Sequence, residues 1–556
     1  MHTSIRTTLG FLVLGLTVAA CGGGGGGGGP GSSSPPPPPV TIAPLTLSSS
    51  APADAATDVS RTVVPQLVFS AAVDPTTVVP ANFVLSTSAG DQPVAVSVAG
   101  TQVTITPSSD LQPSLLYSLT VSTDVRGTAG EQLAGALSLT FTTGGGAWGV
   151  ATLVEADDGD AHNPETAIDA AGNAFAVWDQ SDGTRASIWA NRATPVDGWG
   201  AAGVRENSDG DAFSPHVAVD DSGNALAVWQ QSDGTRHNIW SSRYTPASGW
   251  STPVLVENDP EEAGSVQIAL NANGDGFAVW TQVSTIRPAV VWARRYEAAS
   301  GWGAATRVQS NTGGDGFLPQ IAVDPAGNAV AIWHQTDGAR YNVWANRFVV
   351  GTGWEGGAFV ENDNTGDAQY AEVGMDTNGN AIAVWQQFDG TRFNIMSNVL
   401  PSGGSWATAE PIENDINPST LPQIAVNAAG EALAVWMHEQ DGGEGQDVMV
   451  NRYVPGSGWG ASAPLDATDR SAILPKVVLN SSGIGHAIWM EGDGTRFNIM
   501  ASRYTPGSGW GAPALIEMES GDAFNPSIAI NASGTVQAIW RQYDGSRYNV
   551  WGNRFE

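Results

Sequence analysis

The chain of 556 residues contains a single cysteine, and only 14% of its residues are charged. One cysteine excludes a scaffold held together by intrachain disulfides. Basic residues are scarce, because 23 Lys and Arg stand against 55 Asp and Glu, which gives a formal net charge of -32. Nucleic acids and anionic lipid headgroups are bound by cationic surfaces, so the composition excludes both as expected partners. An apolar content of 41% argues against a wholly disordered chain, and the length is enough for several domains.

Apolar runs long enough to span a bilayer are also missing from the sequence. Residues 9–16 form a shorter apolar stretch behind Arg6, which is typical of an export signal. The residues that follow, Val18-Ala19-Ala20-Cys21, resemble a bacterial lipobox. The resemblance implies that residues 1–21 are a lipoprotein signal peptide and that Cys21 is the lipidation site. Gly22 in the next position is similar to lipoproteins of the Gram-negative outer membrane, so we expect a lipid-anchored protein there, on the cell surface or the periplasmic face.

Residues 22–42 are predicted to be a Gly/Ser/Pro linker. Residues 22–29 are all glycine and residues 35–39 are all proline. Such a segment has few side chains to bury and cannot offset the entropy lost on ordering. We expect a flexible glycine half and a stiff proline half, with a reach on the order of 60 Å for about 19 residues.

Residues 43–144 contain short β-branched runs separated by turn residues, as in 63–69, 94–98 and 117–121. Runs with a period of two in a segment of this length predict a β-sandwich. The stretches 52–59, 69–74, 81–83 and 139–143 resemble the bacterial SbsA-type Ig-like domain. The resemblance implies a spacer or adhesion-type domain without chemistry of its own.

Residues 145–556 repeat one pattern eight times. In the first copy four strand-like pieces, called strands a, b, c and d, cover residues 151–155, 165–169, 173–178 and 186–192. Each b–c turn carries Gly, with Asp or Asn three residues earlier, as in Asp169 and Gly172. Four antiparallel strands per copy predict an eight-bladed β-propeller, and therefore an all-β fold for the whole chain. A tryptophan closes strand c in every copy, which indicates a packing role: Trp178, Trp229, Trp280, Trp333, Trp385, Trp436, Trp489 and Trp540.

The repeats also predict how the ring closes. Strand d begins with Arg in six copies, and in five of them strand a of the next copy ends in Glu, as in Arg185 and Glu206. An antiparallel d–a hairpin places these positions side by side, so we expect cross-strand ion pairs. Arg547 lies in the last copy, and Glu155 in the first is its remaining partner. We therefore predict that the first strand a pairs with the last strand d, with Glu155 and Arg547 as the closure pair.

The a–b and c–d loops must share one face of the propeller, called here the acidic face because its loops are rich in Asp. One interpretation is structural Ca²⁺, bound by carboxylates and loop carbonyls; the other is a solvated rim in which Asp side chains cap turns. No loop matches the spacing of an EF-hand, and no other cofactor is expected. The metal candidates are Asp157, Asp160, Asp209, Asp211, Asp363 and Asp367.

Catalysis is not predicted. The histidines are scattered without metal-ligand spacing, and no nucleophile motif is present. Residues 181–184 superficially resemble the Asp-box of sialidase propellers, but Asp and Gly are adjacent and no Trp follows Thr184. We therefore expect a tethered binding or adhesion platform of the cell envelope, with a protein or glycan ligand. Two alternatives stay open: an outer-membrane assembly scaffold, and a propeller enzyme that uses paired carboxylates on polysaccharide.

Overall fold

The computed structural model describes residues 42–556, apart from 88–89, 114, 156, 207–209, 258, 285–287, 311–312, 362–365, 441, 443–444 and 467–469. The predicted all-β class is confirmed. The described helices are two short 3-10 turns, Pro75–Thr77 and Pro80–Asn82. No helix of the described chain is long and apolar enough to cross a bilayer.

An Ig-like module precedes the repeats and consists of two facing sheets. One sheet has the order Leu47–Ala51, Gln66–Phe69, Gln102–Pro107, Val94–Ala99. The other has the order Ala56–Val59, Leu137–Thr143, Leu116–Val121, Phe83–Thr87, Gly90–Gln92. Alternate residues of both sheets meet in one core that includes Phe69, Phe83 and Tyr117, as the period-two pattern predicts.

Eight further sheets follow, one for each repeat, and we number them blades 1 to 8. Strand b of each blade is Ala161–Ile168, Ala212–Val219, Glu262–Leu270, Gly316–Val323, Ala368–Met375, Ser419–Val426, Ala472–Leu479 and Ala523–Ile530. Strand c is Ala174–Ser181, Ala225–Ser232, Gly276–Val283, Ala329–Thr336, Ala381–Phe388, Ala432–Glu439, Gly485–Gly492 and Val536–Tyr543. Strand d is Ala186–Thr194, His237–Thr245, Val290–Glu297, Tyr341–Val349, Phe393–Leu400, Gln446–Val454, Phe497–Thr505 and Tyr548–Phe555.

Strand a is short and completes the blade before it. The a strands that pair with blades 1 to 7 are Gly203–Val204, Val254–Leu255, Gly301–Arg307, Ala358–Phe359, Glu410–Pro411, Ala463–Pro464 and Ala514–Leu515. Blade 8 receives Thr152–Leu153, in which Thr152 lies opposite Gly552 and Leu153 opposite Trp551. Each strand b contacts strand b of the next blade, and that of blade 8 contacts that of blade 1. The b strands therefore surround a central channel, and the first strand a pairs with the last strand d.

The strand c tryptophans form the packing centres between blades, and their exposed fractions are at most 1%. Their indole N–H groups need a buried acceptor, and in most blades a glutamine two residues later provides it. In blade 1, Trp178 Nε1 donates to Gln180 Oε1 at 2.7 Å, and Gln180 Nε2 donates to the carbonyl of Gly159 at 2.8 Å. The regular placement of these residues therefore has a structural cause.

One core position breaks the pattern. His486, in strand c of blade 7, is completely buried, and neither ring nitrogen has a hydrogen-bond partner among the described residues. The rings of Phe555 and Trp148 lie 4.6 and 6.0 Å from it. The matching positions of six other blades carry apolar side chains. Burial lowers the pKa of His486 to about 3, so the imidazole is neutral in the folded protein.

Replacing His486 with leucine, the residue that blade 6 carries at Leu433, is expected to stabilise the protein by about 1–3 kcal/mol at pH 7, because an unbonded polar group leaves the core. As the pH falls from about 6.5 towards 3, the unfolded wild-type chain gains a proton that the folded chain does not bind, so the wild type loses stability. The leucine variant should lack this loss. Urea unfolding at pH 7 and pH 4.5 measures both effects, and a variant that is less stable at both values would contradict the prediction.

The Ig-like module contacts the b–c turns of blades 7 and 8. Gln112, which is 6% exposed, donates to Ser482 Oγ at 2.7 Å and to the Ala532 carbonyl at 2.6 Å. Its own Oε1 accepts a hydrogen bond from Asn480 Nδ2 at 2.9 Å. The b–c turns lie at the opposite ends of the b strands from the a–b loops. The module therefore contacts the propeller on the face opposite the acidic face.

Candidate functional site: the channel mouth on the acidic face

Every strand b contains a bulge close to its start. In blade 1 the pairing with strand c shifts between His162 and Glu165, and Asn163 has a φ of 47°. Residues other than glycine rarely adopt this left-handed conformation, so eight occurrences at one repeat position mark a feature that the fold holds in place. We call these residues the mouth of the channel: Asn163, Ser214, Ser265, Leu318, Tyr370, Leu421, Leu474 and Asn525.

Proline follows the bulged residue in six of the eight blades, as Pro164 does in blade 1. Proline disfavours the right-handed helical conformation of the residue before it and has no N–H to place in the ladder. A bulge is one of the few positions in a sheet that accepts such a residue. The sequence therefore stabilises the bulge locally.

The mouth has two unlike halves. In blades 8, 1, 2 and 3 its residues are Asn or Ser, whereas in blades 4 to 7 they are Leu or Tyr. Leu318, Tyr370 and Leu474 are 42%, 43% and 39% exposed. Large apolar side chains exposed beside one opening are typical of a contact surface for a ligand.

Two residues further along each strand b, polar side chains line the channel. The position is the same in every blade, as its pairing with strand c shows. We call this set the channel ring: Glu165, His216, Gln267, Gln320, Glu372, Gln423, Lys476 and Ser527. Neighbouring blades thus present carboxylate, amide, amine, imidazole and hydroxyl groups to a shared space.

Hydrogen bonds link one arc of the channel ring across blades 4 to 7. Gln320 Nε2 and Gln423 Nε2 both donate to Glu372 Oε1, at 3.1 and 3.0 Å. Lys476 Nζ donates to Gln423 Oε1 at 3.2 Å. These amides orient the carboxylate and hold the lysine beside a neutral acceptor.

In the other arc, contacts join the ring residues only in pairs. Ser527 Oγ donates to Glu165 Oε2 at 2.8 Å and accepts the N–H of Thr166 at 3.2 Å. The Nε2 atoms of Gln267 and His216 lie 3.3 Å apart. Burial lowers the pKa of His216, so its imidazole is neutral at pH 7.

A cavity of about 280 Å³ opens in the channel beside this second arc. Blades 7, 8, 1 and 2 form its wall, and both the mouth and the channel ring contribute to it. The residues that line it are Asn163, Pro164, Glu165, Ser214, Pro215, His216, Leu474, Lys476, Asn525 and Pro526.

Glu372 is a ring carboxylate whose pKa depends strongly on its surroundings. Loss of solvent raises the pKa of its carboxyl group to about 7, although the charge of Lys476 and the Gln423 amide act in the opposite direction. The site therefore changes its charge near neutral pH.

Replacing Glu372 with glutamine is expected to stabilise the protein by about 1–2 kcal/mol at pH 8.5 and to change its stability little at pH 4. The raised pKa of Glu372 stabilises the folded wild-type protein fully at pH values below about 4.5. This contribution is lost as the pH rises through about 7, because the carboxyl group of the folded chain must then ionise away from water. The glutamine keeps an oxygen that can accept both neighbouring amides. Thermal unfolding across this pH range tests the prediction, which an equal effect at both ends would contradict.

The predicted metal candidates have other contacts where the structure describes them. Asp160, Asp211 and Asp367 each accept the first N–H of the preceding strand d, from Tyr548, Ala186 and Tyr341, at 2.8–2.9 Å. Their carboxylates thus cap strands, which favours the solvated-rim interpretation. Asp157 lies in the a–b loop of the first repeat, and Asp209 and Asp363 lie outside the described residues. Within the described ranges no group of three His, Cys, Asp or Glu side chains is arranged to hold a metal ion.

The predicted closure pair has different contacts from those expected. Arg547 forms an ion pair with Asp158 at 2.5 Å. Glu155, which is 3% exposed, accepts the N–H of Asp157 at 2.7 Å and Gln180 Nε2 at 3.3 Å. The pairing of Leu153 with Trp551 places Glu155 level with residue 549, two residues from Arg547. Glu155 is thus buried and Arg547 pairs with the exposed Asp158, although the charges of Glu155 and Arg547 still act on each other.

The same offset applies to the other predicted Arg–Glu pairs, which the long arginine side chain can still bridge. Ion pairs of Arg185 with Glu206 and of Arg496 with Glu517 are present, at 3.4 and 3.1 Å. Cys21, the predicted lipidation site, lies outside the described residues.

Sequence reasoning did not identify the channel ring. The signal was present, because the ring residue always lies 13 positions before the strand c tryptophan, as Glu165 does before Trp178. A repeat position that is polar in all eight copies of a strand is not explained by packing of apolar side chains. Only the position of strand b at the centre shows that these side chains converge.

The comparisons with known proteins identify the first module. Residues 41–143 match the family described as bacterial Ig-like domain, Big_5. No curated protein shows significant sequence similarity to the chain.

Solved structures that match the chain are similar only at low identity. A polysaccharide lyase, Uly1, is 9% identical with a TM-score of 0.43, over 64% of this chain and 92% of the other. The β-propeller domain of the trilobed protease from Pyrococcus furiosus is 8% identical with a TM-score of 0.38, over 61% and 95% of the two chains. A protein from Dyadobacter fermentans is 13% identical with a TM-score of 0.38, over 63% and 96%.

Proposed function

We propose that the chain is an outer-membrane lipoprotein that binds a protein or glycan ligand at the mouth of its propeller channel. The observation that carries the proposal is the channel ring, in which eight polar side chains from eight blades line the channel beneath a half-apolar mouth. Structural packing alone does not require polar side chains in every copy. Ligand sites combine apolar contact surface with a few convergent polar groups in this way.

The placement of the Ig-like module supports the same proposal. Gln112 and Pro113 of that module contact blades 7 and 8 on the face of the b–c turns. The mouth opens on the opposite, acidic face. With a lipid at Cys21 and a long linker, the Ig-like module would act as the spacer, and the mouth would face away from it.

We propose binding without turnover. Glu165 and Glu372, the two carboxylates of the channel ring, belong to blades 1 and 5 and are therefore on opposite sides of the channel. Their nearest described partners are Ser527 and two glutamines. Hydrogen-bonded carboxylates of this kind suit the recognition of hydroxyl or amine groups.

A glycan array probed with residues 44–556 tests the proposal, because this form keeps the contacts between the Ig-like module and the propeller. Tyr370→Ala removes an exposed side chain of the mouth, and Phe359→Ala removes a similarly exposed one (51%) from an outer edge strand as a matched control. Bound glycans should be lost with Tyr370→Ala and kept with Phe359→Ala. Binding that is equal in both variants would contradict a site at the mouth.

Three further readouts separate the alternatives. Product release on the array would favour the polysaccharide enzyme. The absence of binding to any glycan would leave a protein as the remaining candidate ligand. Repeating the array with and without Ca²⁺ tests for structural calcium. Protease treatment of intact cells distinguishes surface display, in which the chain is cleaved, from the periplasmic face, in which it is protected.

A further inference from the structure

The cavity in the channel lies beside the ring position with the shortest side chain. Ser527 of blade 8 stands between Lys476 of blade 7 and Glu165 of blade 1, and it is 5% exposed. The other ring positions carry Glu, His, Gln or Lys. The lysine and the glutamate on either side of the serine both line the cavity, together with Asn525 and Pro526 from the serine's own strand.

These two flanking groups carry opposite charges that do not pair with each other. Lys476 Nζ donates to the neutral Oε1 of Gln423, although an ammonium group has three donors. Glu165 accepts from Ser527, and an ion pair between Glu165 and Lys476 is absent from the described part of the chain. The charge of Lys476 also acts on Glu372, on the far side of the Gln423 amide. Charged groups in a confined, partly dehydrated site are stabilised by complementary charge. The cavity therefore offers one anionic and one cationic anchor.

We propose that this cavity binds a small zwitterion of the α-amino-acid class, whose carboxylate contacts Lys476 and whose ammonium contacts Glu165. The inference rests on the proposed binding function and names a ligand for the same opening. The amides of Asn163 and Asn525 and the imidazole of His216 also line the cavity and supply further hydrogen-bonding groups.

Charge and size both fit this class. The chain has a net charge of -32 and Asp-rich loops on the acidic face, which disfavour the approach of an anion but not of a molecule with no net charge. A volume of about 280 Å³ corresponds to roughly nine water molecules at ~30 Å³ each. A small amino acid has fewer non-hydrogen atoms than this and fits inside.

Isothermal titration calorimetry on the full chain in detergent tests the proposal, with glycine and D-alanine as probes. Acetate and ethylamine, which each carry one of the two charges, are the control titrants. Glycine or D-alanine should bind, and Lys476→Gln and Glu165→Gln should each weaken binding by at least about 30-fold, because one charge of the ligand is left unpaired. Gln is the residue that blades 3, 4 and 6 carry at the ring position, so both substitutions suit the strand.

Two control variants test for a general effect of removing a charge, and a third variant places a larger side chain beside the cavity. Arg470→Gln removes a cation from the same blade and face, and Glu410→Gln removes an exposed carboxylate from an edge strand; both should leave the affinity within about twofold. Ser527→Gln should abolish binding by occupying the space, and circular dichroism shows whether each variant is folded. Absence of binding by the native chain, equal binding of acetate or ethylamine, or retained affinity in Lys476→Gln and Glu165→Gln would overturn the inference.

The two proposals fail separately. If glycan binding depends on Tyr370 while neither amino acid binds, the zwitterion site is wrong and the binding function stands. If the amino acids bind as expected while Tyr370→Ala changes no glycan signal, the cavity is a ligand site and the adhesion surface lies elsewhere.

Discussion

Replacing Val154 with aspartate is expected to open the propeller ring. Val154 is 2% exposed and packs with Ala161 and Trp178 of blade 1 and with Ile539 and Val550 of blade 8. Its N–H donates to the Val550 carbonyl at 2.9 Å. A carboxylate at this position costs several kcal/mol unless the strand leaves the core. The two-residue strand Thr152–Leu153 is not covalently continuous with blade 8, and hydrogen bonds join residues 147–149 before it to residues 554–556.

The expected result is a larger radius of gyration by small-angle X-ray scattering and new protease cleavage between residues 145 and 160. Opening would also expose an unpaired strand edge at Tyr548–Phe555, so we expect concentration-dependent association. The matched control is Val256→Asp. Val256 is equally buried and donates to the Ile239 carbonyl at 2.7 Å, but its strand continues directly from strand d of the same blade.

Val256→Asp should lose stability without a change in the radius of gyration, because its edge strand, Val254–Leu255, is covalently linked to strand d of blade 2. If both variants open the ring, covalent continuity is unimportant for the edge strands. If neither does, the contacts between strands b of blades 8 and 1 are enough to keep the ring closed.

Replacing Trp229 with alanine is expected to lower the free energy of unfolding by about 3–5 kcal/mol. Trp229 is completely buried between blades 1 and 2 and packs against Val177 and Ile188. Its Nε1 donates to Gln231 Oε1 at 3.1 Å, and Gln231 Nε2 donates to the Gly210 carbonyl at 3.1 Å. The substitution therefore creates a cavity and also leaves a buried amide oxygen without its donor.

Trp240→Ala is the matched control, because Trp240 lies opposite Trp229 on strand d but is only partly buried. We expect a loss below about 2 kcal/mol for this variant, since less apolar surface returns to water. Urea unfolding followed by fluorescence of the remaining tryptophans measures both values. Equal losses for the two variants would contradict the assignment of strand c tryptophans as the packing centres.

Much of the fold was predictable because the signals are local and repeated. The turn at Asp169 and Gly172 depends on a capping side chain and a positive φ, and the structure contains both: Asp169 Oδ1 accepts the N–H of Asn173 at 2.7 Å, and Gly172 has a φ of 82°. The strand c tryptophans repeat at nearly constant spacing, and all are buried. The pairing of strand a of the first repeat with strand d of the last was also expected from the repeats.

Side-chain contacts across strands and between blades were harder to predict than the strands themselves. The Glu155–Arg547 pair was expected from counting residues, but Arg547 pairs with Asp158. The register offsets Glu155 and Arg547 by two positions, as it does Arg185 and Glu206, which still form an ion pair. Asp160 and Asp211 had two interpretations from the sequence, as Ca²⁺ ligands or as turn caps on a solvated rim, because carboxylates cluster there. In the folded chain each accepts a backbone N–H from a neighbouring blade, a contact that no local pattern encodes.

The sequence by itself determined the strands, the turns, the eight copies and the residues that fill the space between blades, because these depend on neighbours a few positions apart. Only the tertiary structure decided that strand b is central, that Glu165 and Lys476 line one cavity, and that Ser527 donates to Glu165. These residues are separated by up to 362 positions in the chain. Their convergence results from closing eight twisted sheets into a ring, which is a long-range property that no single repeat contains.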